Sequence, residues 1–410
     1  MTDRIAPIEP RPVKATPAVS LWGLLALCGW FGLGGLFSFA FVTGDAVIRC
    51  ILTLFLLVWV VVGPFCVSFF CVEASGLFLQ SGFYKIARQT AALGAFVDKS
   101  VVALANLAGM ADTPLAVLNL LNLSLANLSL CQFDLAVENC EGALDKSLSV
   151  FGWDHPLTQM VIGQLAVAFL YVARFSEADN YLNKSISSIQ ARLHDEDISP
   201  EESMSLMAGL AIDKFRLAEL FERKFEFVKA EQSYRESIEA IITNTVFDTE
   251  ILAAHLNRFG DLLIRLDRLE EAEPHTVRAL EIREKIFSSS HPVLAESYLS
   301  FGHLLVKKGD VLEGEKRLLK AHAVFSKQAS PNLGLTHCAL AELASRKGDS
   351  KAAVYSLEQA MAVMDVALCQ DHPDKVRVLE AFALALEQSG DSQRAAAIRQ
   401  RAMRIRSCYQ

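Results

Sequence analysis

The chain has 410 residues, 52% of them hydrophobic, and a formal net charge of −8. An acidic balance disfavours nucleic acid and anionic lipid as main partners, because both are bound through clustered cations. Its nine cysteines are scattered, with no close pair of metal-site or redox type, which suits a reducing compartment.

Residues 1–18 carry Pro7, Pro10, Pro12 and Pro17 among few apolar residues and are predicted to be a disordered cytoplasmic tail. Two apolar runs without charge come next, Leu21–Val42 and Ile51–Val72, each 22 residues long. A helix of that length crosses the hydrocarbon core of a bilayer. Nothing else in the first 85 residues could bury two helices that are apolar all round. A transmembrane helical hairpin is therefore expected, joined by the link Thr43–Arg49. Arg4, Arg11 and Lys14 precede it and Lys85, Arg88 and Lys99 come after it, against Arg49 alone in the link. This bias places both termini in the cytoplasm and predicts an integral membrane protein with two spans. Gly29, Gly32, Gly34 and Gly35 would let these helices pack closely, and Gly63-Pro64 would kink the second.

Residues 73–112 are expected to form a juxtamembrane segment. Within it, 86–110 reads as one helix, apolar along Ala92, Phe96, Val101, Leu104 and Leu107. It would cap the first helical unit downstream, or lie in the membrane interface.

From Thr113 the chain is periodic. Small residues recur at Ala136, Ala178, Ala230, Ala272, Gly314, Ala353 and Ala395, at intervals of 42, 52, 42, 42, 39 and 42. Seven residues past each stands a second small residue: Ala143, Ser185, Ser237, Ala279, Ala321, Ala360 and Ala402. Such a pair shares one helix face and lets a neighbouring helix approach. Twelve residues before each first marker lies another: Ser124, Ala166, Ala218, Gly260, Gly302, Ala341 and Ala383. Each unit is thus helix A, a turn and helix B, and seven units fill 113–406. Gly309, Gly348 and Gly390 mark three of the turns. Helix A opens at Thr113-Pro114, His155-Pro156, His291-Pro292, Ser330-Pro331 and His372-Pro373, where proline at the first helical position leaves no donor unpaired. The 52-residue interval is predicted to extend one helix A upstream to Ser199-Pro200-Glu201-Glu202, a capping box.

This pattern resembles tetratricopeptide repeats in the 42-residue form of kinesin light chains, most closely over LNRFGDLLIRLDRLEEAEPHTVRALEIREKIFSSSHP, residues 256–292. The resemblance implies an all-α solenoid of about seven helical hairpins whose A helices line a concave groove that holds protein or peptide. In kinesin light chain repeats an asparagine before the Leu-Ala pair of helix A bonds a peptide backbone. The matching positions here are Asn122, Gln164, Arg216, Arg258, Ser300, Ala339 and Ala381. The first five keep a polar side chain. Glu219, Asp261 and His303 lie three residues past Arg216, Arg258 and Ser300, on the same face one turn along. These eight, the five polar positions Asn122, Gln164, Arg216, Arg258 and Ser300 with Glu219, Asp261 and His303, are the candidate partner-binding residues. An arginine here can grip a partner carboxylate. It can also pair internally, Arg216 with Glu219 and Arg258 with Asp261.

No metal spacing, phosphate loop or nucleophile motif occurs, so no metal, cofactor or catalytic residue is expected. The expected function is a membrane-anchored scaffold that recruits a protein or peptide to the cytoplasmic face. The alternative is a structural subunit of a membrane complex.

Overall fold

A computed structural model describes residues 71–76, 85–93, 114–153, 155–195, 197–244, 249–327 and 330–409. From residue 114 on, fourteen α-helices are described: α1 Pro114–Ser129, α2 Phe133–Phe151, α3 Pro156–Tyr171, α4 Phe175–Leu193, α5 Pro200–Arg223, α6 Phe227–Asn244 and α7 Glu250–Arg265 in the first half. The second half holds α8 Leu269–Ile286, α9 Pro292–Lys308, α10 Val311–Phe325, α11 Pro331–Arg346, α12 Ser350–Ala367, α13 Asp374–Ser389 and α14 Ser392–Ser407. Odd-numbered helices are A and even-numbered are B. No strand occurs among the described residues.

The small residues dictate the packing. Every first marker and every helix-A partner twelve residues upstream is buried. A Cβ added to Gly260 would meet Thr276 Cγ2 at 2.6 Å, and one added to Gly314 would meet Val306 Cγ2 at 2.8 Å and the Gly302 carbonyl at 3.1 Å. The two helices of a unit thus touch nearly backbone to backbone, which a larger side chain would prevent.

All seven A–B turns use one device. The residue five places before the small marker has positive φ: Cys131, Ala173, Phe225, Asp267, Gly309, Gly348 and Gly390. Only the last three are glycines, so four turns hold a side chain in the left-handed region at a cost of about 1–2 kcal/mol each.

Helix starts agree with the sequence at Pro156, Pro200, Pro292 and Pro331, whereas α13 begins at Asp374 with Pro373 as its N-cap. Ser199, Thr249 and Ser330 accept a backbone N–H of the first turn through their side-chain oxygens. His155 and His291 do so through Nδ1, which accepts from Leu157 N and Val293 N at 3.2 Å. The histidine of the His-Pro pair is therefore itself a cap. Ser199 caps α5 as expected, but Glu202 does not close a capping box; its carboxylate takes Arg192 instead.

The membrane localisation is corrected. Among the described residues no helix is long and apolar enough to cross a membrane. The apolar runs themselves, at 21–42 and 51–70, lie outside the described residues, as do the tail 1–18 and most of the predicted segment 86–110. The end of the second run is described, and it packs on protein. Cys71 is buried in the helical stretch 71–76, and the Asn122 amide of α1 donates to the Val72 carbonyl at 3.2 Å and to Ser75 Oγ at 2.9 Å. Residues 85–93 are helical as well, with Ala87 and Ala91 fully buried. Arg88 reaches Gln132 at the start of α2.

The seven units curl until the last meets the first three. His372, before α13, donates from Nε2 to the Leu170 carbonyl of α3 at 2.9 Å, while its Nδ1 accepts from Asp374 N. Arg223 of α5 pairs with Asp374 at 3.2 Å. Tyr409 packs on Phe175 of α4, ring centroids 5.0 Å apart, and Phe133 of α2 joins the apolar core of the last unit. The inner face is therefore enclosed.

Candidate functional site

The enclosed face is made by A helices. A cavity of about 390 Å³ opens there, lined from α3, α5, α7, α9, α11 and α13, with Arg283 of α8. Val167, Leu170, Ile212, Phe215, Ile251 and Leu299 are among the residues that supply apolar wall, and charged and polar side chains share the lining with them. Six of the eight candidate residues line it: Arg216, Glu219, Arg258, Asp261, Ser300 and His303. Gln164 lines an adjoining space shared with Arg216 and Glu296. Asn122 is not in this group, because its amide is spent on Val72 and Ser75.

Ion pairs run across repeats. Arg216 Nη1 bonds Glu219 at 2.8 Å, the internal pair the spacing suggests. Arg258 does not take Asp261; it bonds Glu219 of the preceding unit through Nη2 at 2.9 Å and Nε at 3.1 Å. Burial alone would push the Glu219 carboxyl up, but Arg216, Arg258 and Arg223 around it more than reverse this and hold it at about 2. Asp261 instead takes Arg377 of the last unit at 3.2 Å. The other amino group of Arg377 lies 3.1 Å from His303 Nδ1, which must accept. His303 Nε2 then donates to Glu342 at 2.9 Å. Burial lowers the His303 pKa, so the neutral ring with its proton on Nε2 fits both contacts. Below this layer Arg265 pairs with Glu222, which also accepts from Tyr234 Oη at 3.0 Å.

At the other end of the cavity, near the starts of α7 and α9, Arg283 is 2% exposed. It donates to Val293 O at 3.0 Å, Ser297 Oγ at 3.1 Å and Glu250 at 3.2 Å, with Glu296 at 3.6 Å. Burial and the nearby Glu296 both raise the Glu250 pKa, against the pull of Arg283. Asn257 is 3% exposed and donates to Ser300 Oγ at 3.2 Å. Its Oδ1 has no partner among the described residues, and neither do Nε of Arg216, Arg223 and Arg283.

Sequence reasoning missed Arg223, Asn257, Arg283, Glu250, Glu296 and Arg377. One signal was available: Arg223 and Arg265 stand seven residues after Arg216 and Arg258, two turns along the same face.

Residues 252–293 match the family model described as tetratricopeptide repeat. The apo form of RapI superposes with a TM-score of 0.53 at 12% identity, over 94% of this chain and 98% of that one. A Rap protein complexed with Competence and Sporulation Factor gives 0.52 at 12% identity, over 83% and 98%. Kinesin light chain TPR-like repeats from Podosopora anserina give 0.34 at 20% identity, over 50% and 98%. No curated protein matches the sequence. The chain is a helical repeat solenoid of tetratricopeptide type. The two Rap likenesses carry the fold and leave the partner to be argued from the residues of the inner face.

Proposed function

We propose that this solenoid is a non-catalytic binding scaffold whose enclosed inner face holds a protein or peptide partner. The observation that carries the reading is the convergence of six A-helix side chains, from Arg216 to His303, on one cavity that retains buried, unpartnered polar atoms. A purely structural face would be expected to satisfy them. The Rap protein solved with its factor is a solenoid of the same fold that holds a partner, which supports the reading.

The test must respect the ion lattice. Arg216→Ala with Arg258→Ala would strip both pairing cations from a buried carboxylate and unfold for that reason alone. The triple variant Arg216→Met, Glu219→Gln, Arg258→Met removes the ions together and should keep the fold. Partners captured by the full chain in native extract through crosslinking are expected to be lost with this variant. Unchanged capture by the folded variant would sink the proposal.

A further inference from the structure

The charges left over after internal pairing give the cavity a direction. At its α7–α9 end, Glu250 and Glu296 share one cation, Arg283, at 3.2 and 3.6 Å. One negative charge there is unbalanced. Further along, Arg216 and Arg258 share one anion, Glu219, at 2.8 and 2.9 Å. One positive charge there is unbalanced. Arg223 and Arg377 do not alter this count, because Asp374 and Asp261 neutralise one each. Glu250 and Arg258 sit on the same helix eight residues apart, roughly 12 Å at the rise of an α-helix.

We infer that the cavity takes a short peptide with free termini, its ammonium between Glu250 and Glu296 and its carboxylate on Arg216 and Arg258. This deepens the binding reading above and rests on it. An extended chain rises about 3.3 Å per residue, so three to four residues span the two ends. Asn257 and Arg283 line the same cavity, and Asn257 Oδ1 and Arg283 Nε are buried in its wall without a partner among the described residues. Phe215, Ile212 and Ile251 give apolar wall for the peptide's side chains. Burial first, and then the neighbouring Glu296, raise the Glu250 pKa against the pull of Arg283.

The ammonium could in principle come from a lysine side chain, so the probe excludes it. Full-length protein is incubated with a pool of tetrapeptides built only from uncharged residues, and the retained mass is read after gel filtration. Four versions of the pool are compared: free, N-acetylated, C-amidated, and N-acetylated with one lysine. The free pool is expected to be retained, with each single block lowering retention at least tenfold and lysine failing to restore it. Glu250→Gln with Glu296→Gln should reduce the free pool to the level of the acetylated one. Equal retention of free and blocked pools would overturn the zwitterion assignment while leaving groove binding in place. Rescue by lysine would reassign the acidic end to a side chain and overturn the terminal assignment. Failure to retain any pool would overturn the inference outright, and the triple-variant capture would then decide the groove reading separately.

Discussion

Asp213 holds a proton that the hydrogen-bond geometry requires. Ser185 Oγ lies against two acceptors at once, Gln159 Oε1 and Asp213 Oδ2. Gln159 cannot be turned over, because its amide donates to the Trp153 carbonyl at 2.7 Å. One hydroxyl has one proton to give. The chain of bonds closes only if Asp213 is protonated and donates to Ser185, which donates to Gln159. Burial drives the Asp213 pKa from 3.8 to about 7, with Ser185 and Arg216 opposing. Between about pH 4 and 7 the unfolded chain releases this proton and the folded one keeps it, so stability falls as pH rises and levels off above 7. At about 1.4 kcal/mol per unit, the loss across that window is about 4 kcal/mol. Buried groups elsewhere run the other way. Glu219 and Glu342, held at about 2, and His255, held at about 3, gain stability as pH rises, though the two carboxylates finish by about pH 5. The wild-type profile therefore mixes opposing slopes, and the difference from Asp213→Asn isolates this carboxyl. Asparagine can still donate to Ser185. Urea unfolding from pH 5 to 8, tracked by circular dichroism and tryptophan fluorescence together, should show the variant gaining about 2 kcal/mol on the wild type by pH 7. A difference that stays constant across that range would mean Asp213 is ionised throughout, and the proton count would be wrong.

The same packing sets three further outcomes. Glu219→Gln leaves Arg216 and Arg258 without their anion and should cost about 3–5 kcal/mol in urea unfolding, whereas the triple neutral variant should lie near wild type. Gly314→Ala crowds Val306 and the Gly302 backbone and should cost about 1–3 kcal/mol, read as a lowered thermal midpoint. Asp374→Lys sets a second cation against Arg223 and should open the seam between first and last units, read as a larger radius of gyration in small-angle scattering. An unchanged radius would show that the Tyr409 and His372 contacts close the ring alone.

The repeat was legible because its signal is steric. A helix pair that meets at Gly302 and Gly314 leaves no room for a larger residue, so the packing writes itself into the sequence as a period. The left-handed turn position is equally regular but hidden in four units, where Cys131, Ala173, Phe225 and Asp267 stand where glycine would have announced it. The membrane reading went astray for a different reason. Hydropathy reports what a segment avoids, and a run rich in Leu, Phe and Val avoids water equally well against protein. At the described end of the second run Cys71 is buried and the Val72 carbonyl accepts from Asn122, contacts that nothing in a charge-free stretch foretells.

The inner-face residues were found, and their partners were not, and the period explains both. Equivalent positions are 42 apart from Arg216 to Arg258 and from Arg258 to Ser300, so a candidate in one of these units names its counterparts in the others. Neighbours across units are offset from that spacing. Glu219 and Arg258 are 39 apart; Glu222 and Arg265, like Asn257 and Ser300, are 43 apart. Pairing within a helix suggested Arg258 with Asp261, but a helix rotated and raised beside its predecessor presents Glu219 first. Asp261 is then left for Arg377, 116 residues away, which only the closing of the superhelix brings into reach. Internal pairing therefore uses up the middle of the face. What it leaves at the two ends, one negative and one positive charge, is the part of the site available to a ligand, and it becomes visible only after the pairs have been assigned across repeats.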